Sequence, residues 1–328
     1  MNKNHSRPRR RRSQPLLVLV LAGLSVTTLA CGDDGGSGGD GPLVVATHSI
    51  LGDLAVNVLG DEAQVEVVMP AGIDPHEFEP SAAQIALLNE ADLVVANGLG
   101  FEAGLEDALD AAVDDGVPVL ELGEDLDPIP LPDGAPEEHE GEEEHADEGH
   151  GDDDPHWFTD PLRMARAAGL VAAAVSDLDG VDPAIVEAQA EAHAAAIDAA
   201  DGEIAADLEA IPEERRKLVT NHEVFGYFAD RYGFEVVGTV VPSGTTLAEP
   251  SSSELADLVE VIDETGVQAI FADTSSSADL AEVLAAETGD DIAVVELFSE
   301  SLGDEGSGAE TYLELIRTNA DRIVDALA

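Results

Sequence analysis

The feature that most constrains this chain is an alternation that occurs twice. Short β-branched runs, LVVAT (43–47), QVEVVMP (64–70), ADLVVANG (91–98) and VPVLEL (117–122), are separated by the helical periods ILGDLAVNVLG, SAAQIALLNEA and FEAGLEDALDAAVDD. Strand–helix–strand spacing needs crossover connections, which are right-handed, and so predicts a parallel sheet flanked by helices. The pattern stops near residue 123 and resumes after residue 215. There RKLVTNH, EVVGTVVP, QAIFADT and IAVVELF read as strands. EVFGYFADRYG, SSELADLVEVIDETG, ADLAEVLAAETG and ETYLELIRTNADRIVDALA read as helices. The expectation is an α/β protein of two lobes, 43–182 and 213–328, each a mainly parallel sheet covered by helices.

Two segments break the alternation. Residues 183–212, PAIVEAQAEAHAAAIDAADGEIAADLEAIP, are rich in Ala and Glu and read as one long helix stopped by Pro212. Such a helix spans about 45 Å and suits a strut between lobes. Residues 123–155 read as loop. Within them, about 133–153 is almost purely acidic, carries His139, His145 and His150, and is expected to be disordered.

The N-terminus stands apart from both lobes. Residues 1–30 carry six Lys and Arg, no acid, and the apolar run LLVLVLAGLSVTTLA. That run suits a signal peptide and is short for a membrane span. The only cysteine, Cys31, follows in T-L-A-C, which resembles a bacterial lipoprotein signal, although Thr28 and Leu29 depart from the preferred pattern. The expectation is cleavage before Cys31, lipidation of its thiol, and a flexible Gly/Asp/Ser tether over 31–42. An ordinary secretory signal is the plainer alternative.

Charge and cysteine content exclude several functions. With 70 Asp and Glu against 14 Lys and Arg, net −56, the chain cannot bind nucleic acid unaided. One cysteine allows no internal disulfide and no cysteine-based zinc finger. The sequence holds neither the phosphate-binding G-x-x-x-x-G-K-[ST] nor the metalloprotease H-E-x-x-H.

Open α/β sheets bind ligands beyond the carboxyl ends of their strands, so polar residues there are the candidates. After QVEVVMP comes His76. After the acidic loop comes His156, and after KLVT comes His222. After IAVVELF comes Glu300. His76 and His156 share the context Asp-Pro-His, in which proline stiffens the segment presenting the imidazole. Taken singly, His76 or His156 could cap a helix and His222 could be a satisfied core residue. Together, three imidazoles and a carboxylate suit Zn²⁺, and four protein ligands leave no position for reactive water. His48 also ends a strand, where it reads as the start of the next helix. His193 lies mid-strut and reads as a solvated helix face. Trp157 and Phe158 follow His156 and either pack the core or dry the site.

These motifs resemble the metal-specific solute-binding proteins of bacterial ABC importers, the zinc and manganese receptors of the cluster A-I type. The resemblance runs from about Val44 to the C-terminus. It rests on D-P-H-E-F-E-P-S, E-A-D-L-V-V-A-N-G, D-P-H-W-F-T-D-P, T-N-H-E-V-F-G-Y-F, and L-F-S-E-S-L before G-S-G-A-E-T-Y. It implies two α/β lobes joined by a rigid helix, with metal held between them by His76, His156, His222 and Glu300. The fourth family ligand is commonly Asp, so Glu300 is a departure. A histidine third ligand is the zinc type, and manganese is the alternative ion. Asp273, an acidic position that the family does not use as a direct ligand, joins Glu77 and Glu223 as candidates to orient the imidazoles. His139, His145 and His150 are candidates for weak zinc binding. The implied function is capture rather than catalysis. A monomer anchored to the outer face of the cell membrane would deliver Zn²⁺ to a separate ABC permease and ATPase. The competing functions are a manganese receptor, a surface adhesin or zinc buffer, and an extracellular zinc hydrolase.

Overall fold

A computed structural model describes residues 41–132, 153–288 and 292–328. The expected signal segment, Cys31 and the histidines His139, His145 and His150 lie outside the described residues. In chain order the first part holds β1 (Leu43–His48), α1 (Ser49–Leu59), β2 (Gln64–Met69), α2 (Ala82–Glu90), β3 (Leu93–Ala96), α3 (Glu106–Asp114), β4 (Val119–Glu121) and α4 (Pro161–Val175). Then comes the long α5 (Pro183–Leu208). The second part holds β5 (Lys217–Thr220), α6 (Gly226–Tyr232), β6 (Glu235–Thr239), α7 (Ser252–Thr265), β7 (Ala269–Asp273), α8 (Asp279–Glu287), β8 (Ala293–Leu297) and α9 (Tyr312–Leu327).

Each part forms a four-stranded sheet, in the orders β2-β1-β3-β4 and β6-β5-β7-β8. Every strand pair is parallel, as the crossover spacing requires. Side chains alternate faces along a strand, and the core divides accordingly. In β1, Val45 joins a cluster with Val68, Leu88, Val94 and Leu109 on the outer face of the first sheet. In β7, Ile270 and Ala272 join Leu258, Ile262 and Leu284 on the outer face of the second. Their neighbours Val44, Ala46, Ala269 and Phe271 point the other way, into a single cluster that draws on both lobes and on α5.

The strut runs 26 residues and ends at Leu208, four short of Pro212. A proline ring clashes with the carbonyl four residues earlier, here that of Leu208, so 209–211 close as a turn instead. Its buried residues are Val186, Ala190, His193, Ile197, Ala200, Asp201, Ile204 and Leu208, a stripe of three- and four-residue steps. His193 therefore faces the core at 7% exposure, contrary to the solvated face expected from its alanine-rich surroundings. It follows Val186 by seven residues, two full turns on the buried side. Asp201 on the same stripe is held by Arg231, and the Tyr232 hydroxyl donates to it at 2.9 Å.

The scarce cations serve this joint. Arg215 donates to the final carbonyl of the chain at Ala328 (3.1 Å), Arg216 to that of Leu208, and Lys217 to that of Thr265. Three consecutive residues thus satisfy carbonyls at the C-terminal ends of α9, α5 and α7.

Candidate metal centre

The strand order reverses direction between β1 and β3 and again between β5 and β7, and a crevice opens at such switch points. In the first lobe a buried carboxylate ties the two strand ends. Glu102 accepts from the Thr47 hydroxyl at 2.6 Å, the Asn97 amide at 2.6 Å and the Gly98 amide at 3.2 Å. Burial raises the Glu102 pKa to about 7 against those three donors. Asn97 then passes the restraint on, donating its side-chain amide to the Pro155 carbonyl at 2.9 Å. Pro155 immediately precedes His156.

His76, His156, His222 and Glu300 converge. One donor atom from each lies within 4.8 Å of the others, and all four residues are buried. The Nε2 atoms of His76, His156 and His222 stand 2.7, 3.1 and 3.2 Å from Glu300 Oε1. The imidazoles meet edge-on, with centroids 5.3 to 5.9 Å apart. Phe101 backs the His76 and His156 rings at 5.6 and 5.8 Å, so this wall is apolar. The longer side chain of Glu300 places its oxygen at the centre of the group.

The two Asp-Pro-His segments use their aspartates in the same first step. Asp74 Oδ1 accepts the His76 amide at 2.9 Å, and Asp154 Oδ1 accepts the His156 amide at 2.9 Å. Each is an Asx turn that fixes the backbone under an imidazole. Asp154 also meets His156 Nδ1 at 2.7 Å. An ionised aspartate only accepts, so Nδ1 carries the proton and Nε2 faces the cluster. The Asp154 carbonyl in turn accepts the Tyr227 hydroxyl at 2.6 Å, from the other lobe.

Electrostatics follow from the packing. Burial works against a charged His156, yet the bonds and charges of Asp154 and Glu300 win and raise its pKa to about 9. Burial likewise opposes charge on Glu300, but His76, His222 and the imidazole hydrogen bonds hold it well below the usual carboxylate range. Among the described residues, Glu300 Oε2 and His222 Nδ1 are buried without a hydrogen-bond partner.

The acids expected to orient the imidazoles do not do so. Glu77 is exposed, because the Asx turn directs its neighbour His76 inward. Glu223 accepts instead from the Thr239 hydroxyl at 3.1 Å. Asp273 is buried, but its Oδ1 takes the amide and hydroxyl of Ser275 at 2.7 and 2.9 Å. Burial and the charge of Glu300 push its pKa up to about 7. Asp154 takes the role, and its signal was the acid of the Asp-Pro-His motif itself. Asn97 and Glu102 had no comparable signal.

The remaining candidates fall around the cluster. His48 ends β1 and occupies the N-cap position of α1, but its side chain makes no cap bond. Its ring packs 5.0 Å from Phe101, and burial lowers its pKa to about 3. Trp157 is fully buried in the shared core, and Phe158 lies 6.1 Å from the His156 ring.

Comparisons with known proteins bear on the fold and the family. A family profile described as ZnuA, zinc-uptake complex component A, periplasmic, matches residues 44–326. The manganese-binding lipoprotein MntA of Halalkalibacterium halodurans is 28% identical, covering 95% of this chain and 96% of its own. The zinc-binding protein TroA of Treponema pallidum is 29% identical, covering 95% and 97%. The solved structure of TroA superposes with a TM-score of 0.76 at 27% identity, over 88% of this chain and 99% of that one. The paired parallel sheets, the convergent buried cluster and a match over nearly all of both lobes lead to one conclusion: the chain belongs to the ZnuA family, whose members are solute-binding proteins of ABC transporters rather than enzymes.

Proposed function

We propose that the protein captures Zn²⁺ outside the cytoplasm and delivers it to an ABC permease driven by a separate ATPase. His76, His156, His222 and Glu300 are the ligands in this reading. The observation that carries it is the convergence of three imidazole nitrogens and one carboxylate oxygen, from four buried residues, within 4.8 Å of one another. Two further features support a cation at their centre. His156 is held in the tautomer that turns Nε2 inward, as metal-bound imidazoles usually are. Among the described residues Glu300 Oε2 meets no hydrogen-bond partner, which suits it to serve as a second ligand atom.

Three nitrogens and one carboxylate favour zinc over manganese, which prefers oxygen. Manganese is the competing cargo, since the relative in Halalkalibacterium halodurans is named manganese-binding. The chain is proposed to be tethered through lipid on Cys31, in keeping with relatives named lipoproteins. Capture requires the imidazoles to lose protons, so affinity depends on pH.

The test is metal analysis of the purified protein with competition binding of Zn²⁺ against Mn²⁺. One equivalent of tightly held Zn²⁺, lost in His76→Ala, supports the proposal. Preference for Mn²⁺ overturns the choice of ion. Stoichiometric binding that survives His76→Ala overturns the site.

A further inference from the structure

The two Asp-Pro-His segments are alike in sequence and in their Asx turns, but their aspartates differ in the second bond they make. The Asp154 carboxylate stays within its own segment and holds the His156 ring, and only the Asp154 backbone carbonyl meets the other lobe, at Tyr227. Asp74 reaches the other lobe. Its Oδ2 accepts the hydroxyl of Thr246 at 2.8 Å, across 172 residues of sequence, while Oδ1 holds the His76 amide. Asp74 is 7% exposed, so water competes little for that bond.

Thr246 sits on a segment that is itself tied to the His222 loop. The Val241 amide donates to the Asn221 carbonyl at 2.8 Å, and the Glu223 amide donates to the Ser243 carbonyl at 2.9 Å. The Thr245 amide then donates to the Ser243 hydroxyl at 3.3 Å. A hydrogen-bonded path therefore runs from the backbone beside His222, through 241–246, to Asp74 and the backbone of His76. It joins one imidazole from each lobe without passing through the point where a cation would sit.

We propose that Thr246 is a positioning residue that clasps the His76 loop to the second lobe and slows metal release. The inference rests on the capture reading above. With the clasp made, the His76 turn is fixed before metal arrives, so less ordering is left to binding. With it broken, His76 gains freedom that the twin segment at His156 does not. A hydrogen bond to a charged group is worth roughly a ten- to hundredfold effect on a rate if all of it is felt. Thr246 is half-exposed, which points to the lower end.

The experiment uses the full-length protein loaded with Zn²⁺, with release followed after addition of excess chelator. Thr246→Val removes the hydroxyl and keeps the shape, and Thr246→Ser restores it. Release about tenfold faster in Thr246→Val, with Thr246→Ser at the wild-type rate, is the expected result. Amide hydrogen exchange of the metal-free proteins gives a second readout. Exchange should rise at 74–78 in Thr246→Val and stay unchanged at 154–158, which serves as the internal control. Wild-type release and unchanged exchange at 74–78 in Thr246→Val overturn the clasp while leaving capture intact. If Thr246→Val folds poorly, Thr246→Ala measured by the same exchange comparison decides the matter. Wild-type protein that holds no zinc overturns both readings together.

Discussion

If the chain captures Zn²⁺ as proposed, affinity should strengthen close to tenfold from pH 7 to pH 8 and less steeply toward pH 9, because His156 must give up a proton to bind. Its pKa in the metal-free protein stands at about 9, with burial opposing the charge and Asp154 and Glu300 sustaining it. Below that value most molecules carry the proton, and each unit of pH is a factor of ten, about 1.4 kcal/mol, in the work of removing it. Between pH 7 and pH 9 the accumulated effect is roughly 50-fold, because half the rings still carry the proton at pH 9. At pH 7.5 about one proton per zinc should leave from this ring alone. Asp154→Asn separates the two roles of the carboxylate. The amide keeps an acceptor for the His156 backbone but loses the charge, so the ring's pKa falls and the slope above pH 7 flattens. Loss of an orienting acid costs about 10- to 100-fold in affinity. The variant should therefore be weaker than wild type at pH 9, and the two should converge toward pH 7, where relief from proton competition offsets the lost orientation. Competition against a chelator of known proton constants gives the affinities. Calorimetry in two buffers of different ionisation enthalpy counts the protons. Wild-type affinity that is flat from pH 7 to pH 9, or an Asp154→Asn curve parallel to wild type, refutes the reasoning.

Two further outcomes follow from the same geometry. His222→Glu exchanges an imidazole for a carboxylate, so the ratio of Zn²⁺ to Mn²⁺ affinity in competition binding should fall by at least about tenfold; an unchanged ratio removes His222 from the ion choice. His193 is buried on α5, its Nε2 unpartnered among the described residues, and burial lowers its pKa despite the attraction of Asp53. A base with a depressed pKa contributes full stability above its unfolded value of about 6.5 and loses it as the pH falls through the lower folded value. His193→Leu should therefore flatten the fall in urea-unfolding stability between pH 7 and pH 5. An unaltered fall rules out His193 as its source.

The fold was legible because its signals are periodic and local. Strand runs of three to six residues with helical periods between them admit few arrangements, and both sheets took the parallel form. The four converging residues were legible for a related reason. Chain connectivity delivers the ends of parallel strands to one edge, so residues just beyond them were the natural set. Partners set by tertiary approach were not legible. Nothing in F-E-A says that Glu102 would gather the ends of β1 and β3. Nothing distinguishes Asp74 from Asp154, although one bonds across the cleft and the other to its own imidazole. His193 reads as solvated in the sequence because alanine carries almost no burial signal. Only the spacing from Val186 to Leu208 shows which side of α5 is inside.

The shared core also decides how far the lobes can move apart. Two lobes joined by a small polar interface would be expected to swing, but a large apolar interface resists it. Here residues of both sheets and of α5 belong to one buried cluster, from Val44 and Trp157 through Ile197 and Ile204 to Phe271 and Ile323. The Tyr312 hydroxyl donates to the Phe158 carbonyl at 2.8 Å, and the Tyr312 amide donates to Asp53 at 3.0 Å, adding polar contacts between the second lobe and the first. Opening the lobes would expose this cluster at roughly 25 cal/mol per Å² of apolar surface. Movement of the loops that carry the imidazoles breaks only a few hydrogen bonds. Metal exchange should therefore proceed through loop motion around His76, His156 and His222, with α5 and its contacts intact. Ile197→Ala tests whether the core is truly common to both lobes. Ile197 is fully buried on α5, and truncation of such a residue costs about 2–5 kcal/mol. If both lobes depend on it, the variant unfolds in a single transition shifted as a whole, whether followed at Trp157 in the first lobe or by hydrogen exchange in β7 of the second. A transition that splits, with one lobe retaining its wild-type midpoint, would mean that the lobes are independent and that hinge opening is the cheaper route to release.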